Sequence, residues 1–327
     1  MPCRIDDRWA YNGLACIRLE NEQIAVDVLP ELGGKIQHLV DKARDHDVLW
    51  HSPRVAPHRA ELHANFDDHW SGGWDEAFPG GAPSTNRYGD ELPYMGELWT
   101  QSFTSEIVED SPRRVEVVLR ATTPITPAGW ERRLSLEAGS PTVRIHYRLE
   151  NAGYRPFDFN WGIHPVQAIT LAHRFDAPAG GAEVDENGGR TLGVKGDTYR
   201  WPHFGELDVR RPLPPETDAF ALHYLTDLEA GWLAATDTEA RRGFGLVFDR
   251  DLFSVIWLWL VYGGWRDYYQ AIMEPWTGYP SPLAEAVAAG RARQLGPGET
   301  LETEVVAVVY GGVASVSQLE SDGSVTA

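Results

Sequence analysis

Alternation of apolar and polar side chains with a period of two residues is the feature that most constrains this fold. In residues 143–150 (VRIHYRLE) every second side chain is apolar. Similar alternation occurs in residues 115–120 and 301–309, and it begins near the N-terminus in residues 24–28. Because successive side chains of a strand point to opposite faces of a sheet, the pattern predicts strands that each bury one face.

Helical patterning is confined to residues 282–293, an Ala-rich stretch with Ser281 placed as N-cap and Pro282 at the first helical position. Many short strands with almost no helix predict an all-β sandwich or barrel. We expect one domain over residues 1–312 and a Ser-rich, polar, flexible tail over residues 313–327. The Gly-, Asp- and Glu-rich residues 178–199 are expected to form a long surface excursion.

Charge and hydropathy exclude several kinds of partner. The chain of 327 residues has 29 Lys and Arg against 48 Asp and Glu, a formal net charge of −19. Nucleic acids and anionic membranes would repel such a protein, and no basic patch is visible in the sequence to offset that. The strongest apolar run, residues 255–262 (VIWLWLVY), is far shorter than the ~20 residues of a membrane-spanning helix. It is expected to be a buried strand.

Two cysteines, Cys3 and Cys16, are too few for a disulfide framework or a cysteine-ligated zinc site. The N-terminal residues contain no apolar run of signal-peptide length, and we therefore expect a cytoplasmic protein. Thirteen tryptophans suit both a hydrophobic core and a surface on which sugars stack.

Common nucleotide-binding and hydrolase motifs (GxxxxGKS/T, GxGxxG, GxSxG, HExxH) are absent from the sequence. Three segments instead combine polar with aromatic residues: 71–79 (SGGWDEAFP), 160–165 (NWGIHP) and 272–276 (IMEPW). His164 and Glu274 are the candidate general acid and base, since imidazole titrates near neutral pH and an apolar setting raises the pKa of a carboxyl. Each segment also has a structural alternative. Trp74 and Phe78 could be core residues with Asp75 and Glu76 capping a turn, His164 could be a structural histidine, and Glu274 could be an ordinary edge-strand glutamate.

A histidine-rich stretch raises the question of a metal. His51, His58, His63 and His69 are spaced by seven, five and six residues, with two aspartates just before His69. These intervals match no familiar ligand pattern, so no metal is expected and the stretch is interpreted as a surface loop bordering the cleft.

Five segments, taken in order, resemble the aldose 1-epimerase (galactose mutarotase-like) superfamily between about residues 20 and 311. They are 29–36 (LPELGGKI) with 48–50, 72–79 (GGWDEAFP), 161–165 (WGIHP), 273–276 (MEPW) and 295–300 (LGPGET). The resemblance implies a large antiparallel β-sandwich, called a supersandwich, that binds sugar on one concave sheet. It also implies interconversion of the α and β anomers of a free monosaccharide. Glu274 would accept the C1 hydroxyl proton and His164 would protonate the ring oxygen, with no cofactor.

One departure from the family pattern affects sugar recognition. Many members have a histidine–glycine pair after the "FP" loop, where this chain has Met95 and Gly96. Methionine cannot donate a strong hydrogen bond, so other residues must hold the sugar. The expected substrate-binding residues are Trp74, Asp75, Glu76, Arg87, Trp99 and Trp276. Arg87 would favour an acidic sugar by charge-assisted pairing, unless it is an ordinary surface arginine.

Two other functions fit the same residues. One is a noncatalytic carbohydrate-binding protein of this fold, and the other is a sugar epimerase or lyase acting at a carbon other than C1. The expected partner in each case is a small-molecule sugar. The sequence specifies neither which sugar binds nor the oligomeric state.

Overall fold

Antiparallel strands dominate the computed structural model, which describes residues 2–327. The strands of the first 160 residues are β1 (Arg4–Tyr11), β2 (Leu14–Glu20), β3 (Ile24–Leu29), β4 (Lys35–Asp41), β5 (His46–Asp47), β6 (Trp74–Ala77), β7 (Ser84–Thr85), β8 (Glu91–Leu92), β9 (Thr104–Asp110), β10 (Arg114–Thr122), β11 (Ala128–Glu137), β12 (Thr142–Asn151) and β13 (Phe157–Phe159).

The remaining strands are β14 (Gly162–Ala168), β15 (His173–Asp176), β16 (Ala179–Asn187), β17 (Thr198–Tyr199), β18 (His203–Phe204), β19 (Leu207–Asp208), β20 (Ala219–Leu228), β21 (Trp232–Asp237), β22 (Arg242–Phe248), β23 (Val255–Tyr262), β24 (Tyr269–Trp276), β25 (Arg293–Leu295), β26 (Thr300–Gly311), β27 (Gln318–Leu319) and β28 (Val325–Thr326). The helices are α1 (Phe66–His69) and α2 (Leu283–Ala288), with 3-10 turns at Leu98–Thr100 and Pro215–Thr217.

The chain forms two compact units, and the single domain predicted over residues 1–312 stays a prediction. Unit 1 consists of Met1–Ile163 and Thr277–Val306, and unit 2 consists of His164–Trp276 and Ala307–Ala327. The long strand β26 runs from unit 1 into unit 2.

Unit 1 contains two antiparallel sheets, with strand orders β1-β2-β3-β4-β6 and β12-β11-β10-β9. They face each other, since β1 contacts β10 and β2 contacts β11. In β12 the predicted alternation is confirmed: Val143, Ile145, Tyr147 and Leu149 are buried, and the polar residues between them are partly exposed. The buried apolar side chains of the central strands therefore fill the space between these sheets, whereas edge strand β9 is almost entirely exposed.

Unit 2 is built on a sheet with strand order β14-β24-β23-β20-β16-β17, beside a smaller sheet with order β15-β21-β22. The apolar run 255–262 forms β23, as predicted. Antiparallel pairing sets Trp257 opposite Glu274, and Tyr224 opposite Trp257. Residues directly opposite on neighbouring strands share a face, so these three side chains form one row across the sheet.

The predicted helix at residues 282–293 is shorter than expected. Helix α2 ends at Ala288, and Pro282 occupies the N-cap position. Gly290, at φ +68°, lies just beyond the helix end, and the chain then enters β25. Glycine at positive φ is a common helix terminator, which explains why the Ala-rich pattern does not extend further.

Two segments expected to lie loosely on the surface contain paired strands. Within residues 178–199, β16 pairs with β20 and fully buries Val184. The C-terminal segment forms the hairpin β27–β28, which buries Leu319, and Val316 is buried just before it. A few apolar side chains in each segment are enough to hold it, despite the polar composition that favoured a loop. No helix among residues 2–327 is long and apolar enough to cross a membrane.

Candidate active site

A histidine and a glutamate meet on adjacent strands of the main sheet in unit 2. His164 lies on β14 and Glu274 on β24. The His164 Nε2 and Glu274 Oε2 atoms are 4.0 Å apart, and the two side chains are only 7% and 4% exposed. A proton donor and a proton acceptor are therefore held together on rigid elements.

The backbone around this pair is tied together by Gln167. Its side-chain oxygen accepts a hydrogen bond at 3.1 Å from the backbone N–H of Met273, beside Glu274. Its amide nitrogen donates to the carbonyl of Pro165, beside His164. One buried side chain thus fixes the strand positions that carry both candidate catalytic groups.

Burial sets the protonation of Glu274. Removal from water raises the pKa of this carboxyl well above its ordinary value, because burial disfavours the charged form. The indole N–H of Trp276 donates to Oε2 at 2.8 Å and partly offsets the rise. A carboxyl with a raised pKa takes up and releases protons closer to neutral pH than an exposed glutamate does.

Aromatic rings extend from the glutamate across the sheet. The rings of Trp257 and Trp276 are stacked, with centroids 3.7 Å apart and planes inclined by 9°, and Tyr224 lies 5.1 Å from Trp257. The Tyr224 hydroxyl donates to Asp185, which forms an ion pair with Lys195 at 2.8 Å. This row places apolar ring faces and hydrogen-bonding groups on the same face as Glu274, a combination suited to sugars.

In unit 1 the expected sugar contacts Trp74 and Asp75 are buried on β6. Asp75 forms an ion pair with the buried Lys35 at 2.7 Å, and the Lys35 ammonium also donates to the carbonyl of Gly72. Burial raises the pKa of Asp75, and the nearby Lys35 charge opposes that rise. The glycine is required here: Gly72 has a φ of +82°, and a Cβ would lie 2.2 Å from the Trp50 carbonyl oxygen.

Glu76, the next residue, is buried in unit 1, where both carboxylate oxygens accept hydrogen bonds. It accepts hydrogen bonds from the Tyr147 hydroxyl at 2.7 Å and the Trp161 indole at 2.9 Å. The Arg132 guanidinium lies 3.7 Å away and is itself completely buried. Burial raises the pKa of Glu76, while Arg132 and the two hydrogen bonds act against the rise. These contacts match a structural role at least as well as a sugar contact.

The expected contacts Arg87 and Trp99 have protein partners in unit 1. Arg87 makes a bidentate ion pair with Asp158, with both N–O distances at 2.6 Å. Trp99 is buried edge-on against Phe66, with ring centroids 5.2 Å apart, and its indole donates to the carbonyl of Tyr94 at 3.2 Å.

Met95 is also buried, at a φ of +59°, and its backbone N–H donates to the carbonyl of Gly81.

The structure therefore brings His164, Glu274 and Trp276 together in unit 2 and places Trp74, Asp75 and Glu76 consecutively in unit 1. The sequence analysis missed Gln167, Trp257, Tyr224 and Asp185. Trp257 lies in the apolar run 255–262, which the sequence analysis predicted to be a buried strand. That strand pairs with the one that carries Glu274, and the pairing sets Trp257 opposite Glu274. The contacts of Gln167 and Asp185 depend on tertiary pairing, which no local pattern reveals.

The histidines of residues 51–69 form separate groups. His58 Nε2 lies 2.7 Å from His69 Nδ1 at the surface, whereas His51 contacts His38 and Asp47.

The strand arrangement defines the fold as galactose mutarotase-like, which confirms the fold implied by the sequence resemblance. A candidate aldose 1-epimerase from Klebsiella pneumoniae matches with a TM-score of 0.73 at 15% identity, covering 94% of this chain and 83% of that one. A galactose mutarotase-like protein from Clostridium acetobutylicum matches with a TM-score of 0.68 at 14% identity, covering 95% and 99%.

A galactose mutarotase related enzyme from Lactobacillus acidophilus matches with a TM-score of 0.62 at 14% identity, covering 93% of this chain and 100% of that one. No protein-family model matches the sequence. At these identities the comparisons establish the fold, and the activity has to be argued from the site.

Proposed function

We propose that the protein is an aldose 1-epimerase that interconverts the α and β anomers of a free monosaccharide. The observation that carries the proposal is the buried pair His164 and Glu274, with Nε2 and Oε2 4.0 Å apart on neighbouring strands. The anomeric hydroxyl and the ring oxygen are bonded to the same carbon, C1. Two proton carriers a few ångströms apart are suited to serve both oxygens at once.

In the proposed reaction, ionised Glu274 accepts the proton of the C1 hydroxyl. The bond between C1 and the ring oxygen breaks, its electron pair stays on the ring oxygen, and His164 donates a proton to that oxygen. The product is the open-chain aldehyde. Rotation about C1–C2 presents the other carbonyl face, and the two proton transfers reverse to close the ring. Atoms and charges balance without a cofactor, because nothing is oxidised or reduced.

Three further observations support this assignment. Burial raises the pKa of Glu274, which makes the carboxylate a stronger base once ionised. The stacked and buried indoles of Trp257 and Trp276 surround that base with apolar rings. The Klebsiella pneumoniae protein of the same fold is itself described as a candidate aldose 1-epimerase.

The proposal includes a small-molecule sugar as ligand and a cytoplasmic location. Cys3 and Cys16 are both buried free thiols, which is consistent with a reducing compartment. The net charge of −19 argues against nucleic acid or anionic membrane as partner.

Polarimetry on freshly dissolved neutral sugars and uronates tests the activity. We expect wild type to accelerate mutarotation of at least one sugar, and Glu274→Gln and His164→Asn each to reduce kcat at least about a hundredfold. Matched controls are Glu302→Gln and His146→Gln, whose side chains are 57% and 40% exposed in unit 1. Both controls should retain full activity.

Three results would contradict the proposal. Wild type no faster than buffer on the whole panel would exclude mutarotase activity. Sugar-dependent tryptophan fluorescence without rate enhancement would favour a carbohydrate-binding protein. A change of sugar identity in NMR spectra would assign the chemistry to another carbon.

A further inference from the structure

Three ligand-type atoms converge in unit 1 on β4, on β5 and just after β5. They are His38 Nδ1, Asp47 Oδ2 and His51 Nε2, and all lie within 4.8 Å of one another. Asp47 Oδ2 is 2.5 Å from His38 Nδ1 and 2.9 Å from His51 Nε2. Two imidazoles and one carboxylate are a common ligand set for divalent transition metals.

The carboxylate is fixed by backbone contacts. Asp47 Oδ1 accepts hydrogen bonds from the N–H groups of Leu39 at 3.2 Å and Leu49 at 3.1 Å. These bonds hold Oδ1 and leave Oδ2 facing the imidazoles. The ring of Tyr11 packs edge-on against His38, with centroids 5.1 Å apart. The ligand atoms are thus oriented by the surrounding structure, as in protein metal sites.

A buried glutamine gives the second, independent indication. Gln37 is 1% exposed, and its side-chain nitrogen lies 2.9 Å from His51 Nδ1. Its side-chain oxygen has no hydrogen-bond partner among the described residues. When His51 Nε2 binds a metal, Nδ1 carries the ring proton and needs an acceptor. Rotating the Gln37 amide by half a turn supplies that acceptor and pairs the buried oxygen, while the amide nitrogen takes the position the oxygen now occupies.

We propose that His38, Asp47 and His51 form a binding site for a divalent transition metal of the Zn²⁺ type, with water completing the coordination. The ligand atoms are now at hydrogen-bond distance and would separate to about 3.3 Å around a tetrahedral ion. Each imidazole presents a lone pair to the metal and keeps its proton on the other nitrogen. All three side chains remain 22–30% exposed, which leaves a path for the ion.

The consequence of binding is structural and independent of the proposed mutarotase activity. The His51 backbone bridges to Gly72, at the start of the glycine-rich turn that leads into β6. A metal held by His38, Asp47 and His51 would therefore cross-link the paired strands β4 and β5 to the His51 segment, which bridges to the turn before β6. Such a cross-link stabilises the folded state, because the ligands do not converge in the unfolded chain.

Isothermal titration of chelator-treated full-length protein with ZnCl₂ tests the proposal. We expect wild type to bind one Zn²⁺ at micromolar concentration, with a rise in Tm. His51→Gln should weaken binding at least tenfold, and Gln37→Leu should weaken it about tenfold through loss of the acceptor for Nδ1–H. The matched control is His69→Gln in the exposed His58–His69 pair, which should bind Zn²⁺ as wild type does.

Circular dichroism of His51→Gln and Gln37→Leu checks that the fold persists. The proposal is overturned if wild type shows neither heat nor a Tm rise with Zn²⁺. It is also overturned if His51→Gln binds normally, or if His69→Gln is the variant that loses the ion. Co²⁺ substitution adds a visible absorption band that must disappear in His51→Gln.

Discussion

Trp276 donates its indole N–H to Oε2 of Glu274 at 2.8 Å, the same carboxylate oxygen that faces the imidazole of His164. The hydrogen bond stabilises the charged carboxylate and therefore opposes the rise in pKa that burial causes. Trp276 thus tunes the candidate base while its ring stacks on Trp257.

Trp276→Phe should move the acidic limb of the pH–rate profile to higher pH. The base acts in its ionised form, so activity rises with pH through the pKa of Glu274, and loss of the donor raises that pKa further. The measurement is kcat/KM for mutarotation against pH. Trp9→Phe, an exposed tryptophan of unit 1, is the control and should leave the limb in place. If the acidic limb of the kcat/KM profile in Trp276→Phe keeps its wild-type position or moves to lower pH, the indole does not lower the pKa of Glu274.

Glu274→Gln should increase stability at alkaline pH while abolishing activity. The folded-state pKa of Glu274 lies above its unfolded value, so stability is fully present at acidic pH and is lost as pH rises through the folded pKa. Glutamine cannot ionise and avoids that loss. We expect a clear gain in the free energy of unfolding at pH 8 and little gain at pH 4.

Denaturant unfolding at both pH values provides the test for Glu274→Gln. Glu302→Gln is the exposed control and should show no pH-dependent gain. An equal effect of Glu274→Gln at both pH values would refute the coupling between ionisation of Glu274 and stability.

Much of the fold could be predicted because alternation records burial directly. Residues 143–150 and 255–262 fall within β12 and β23, and the galactose mutarotase-like fold was predicted from separated motifs. Residues 179–187 could not be assigned from composition, since Asp, Glu and Gly dominate them and pairing with β20 provides their stability. The C-terminal hairpin was missed for the same reason: a few buried side chains hold it.

The site was only partly predictable. His164 and Glu274 were chosen from local context, and the structure places them 4.0 Å apart. Arg87 was chosen from its charge, but sequence cannot reveal the ion pair with Asp158, which lies 71 positions along the chain. The convergence of His38 with Asp47 and His51 is not visible in the sequence, because their spacings match no familiar ligand pattern. His38 joins the group only through the pairing of β4 with β5.

A buried histidine should make the protein acid-sensitive. Burial lowers the pKa of His223 from 6.5 to about 4, and its Nδ1 lies 2.7 Å from the Tyr199 hydroxyl. Because the pKa of His223 is lower in the folded than in the unfolded state, protonation of this histidine favours unfolding. Its contribution to stability is therefore fully present above pH 6.5 and is lost as the pH falls toward 4. The loss from this one group is about 3 kcal/mol.

Urea unfolding from pH 7 to pH 4 measures the loss attributed to His223. His223→Gln should flatten the slope of unfolding free energy against pH, whatever its effect at neutral pH. The exposed control His146→Gln should keep the wild-type slope. If the His223→Gln slope equals that of wild type, the acid sensitivity arises elsewhere.

Arg87→Met distinguishes a structural arginine from one that binds an acidic sugar. The guanidinium is already paired bidentately with Asp158, so we expect kcat/KM for neutral sugars to change by less than about twofold. The Arg87 side chain is 36% exposed but that of Asp158 only 8%, so the variant leaves a poorly hydrated carboxylate and should lose about 1–3 kcal/mol of stability. Kinetics on matched neutral and uronate sugars provide the measurement, with Arg155→Met as an exposed control in the same unit. A selective loss of uronate activity in Arg87→Met would instead assign this arginine to recognition of the sugar carboxylate.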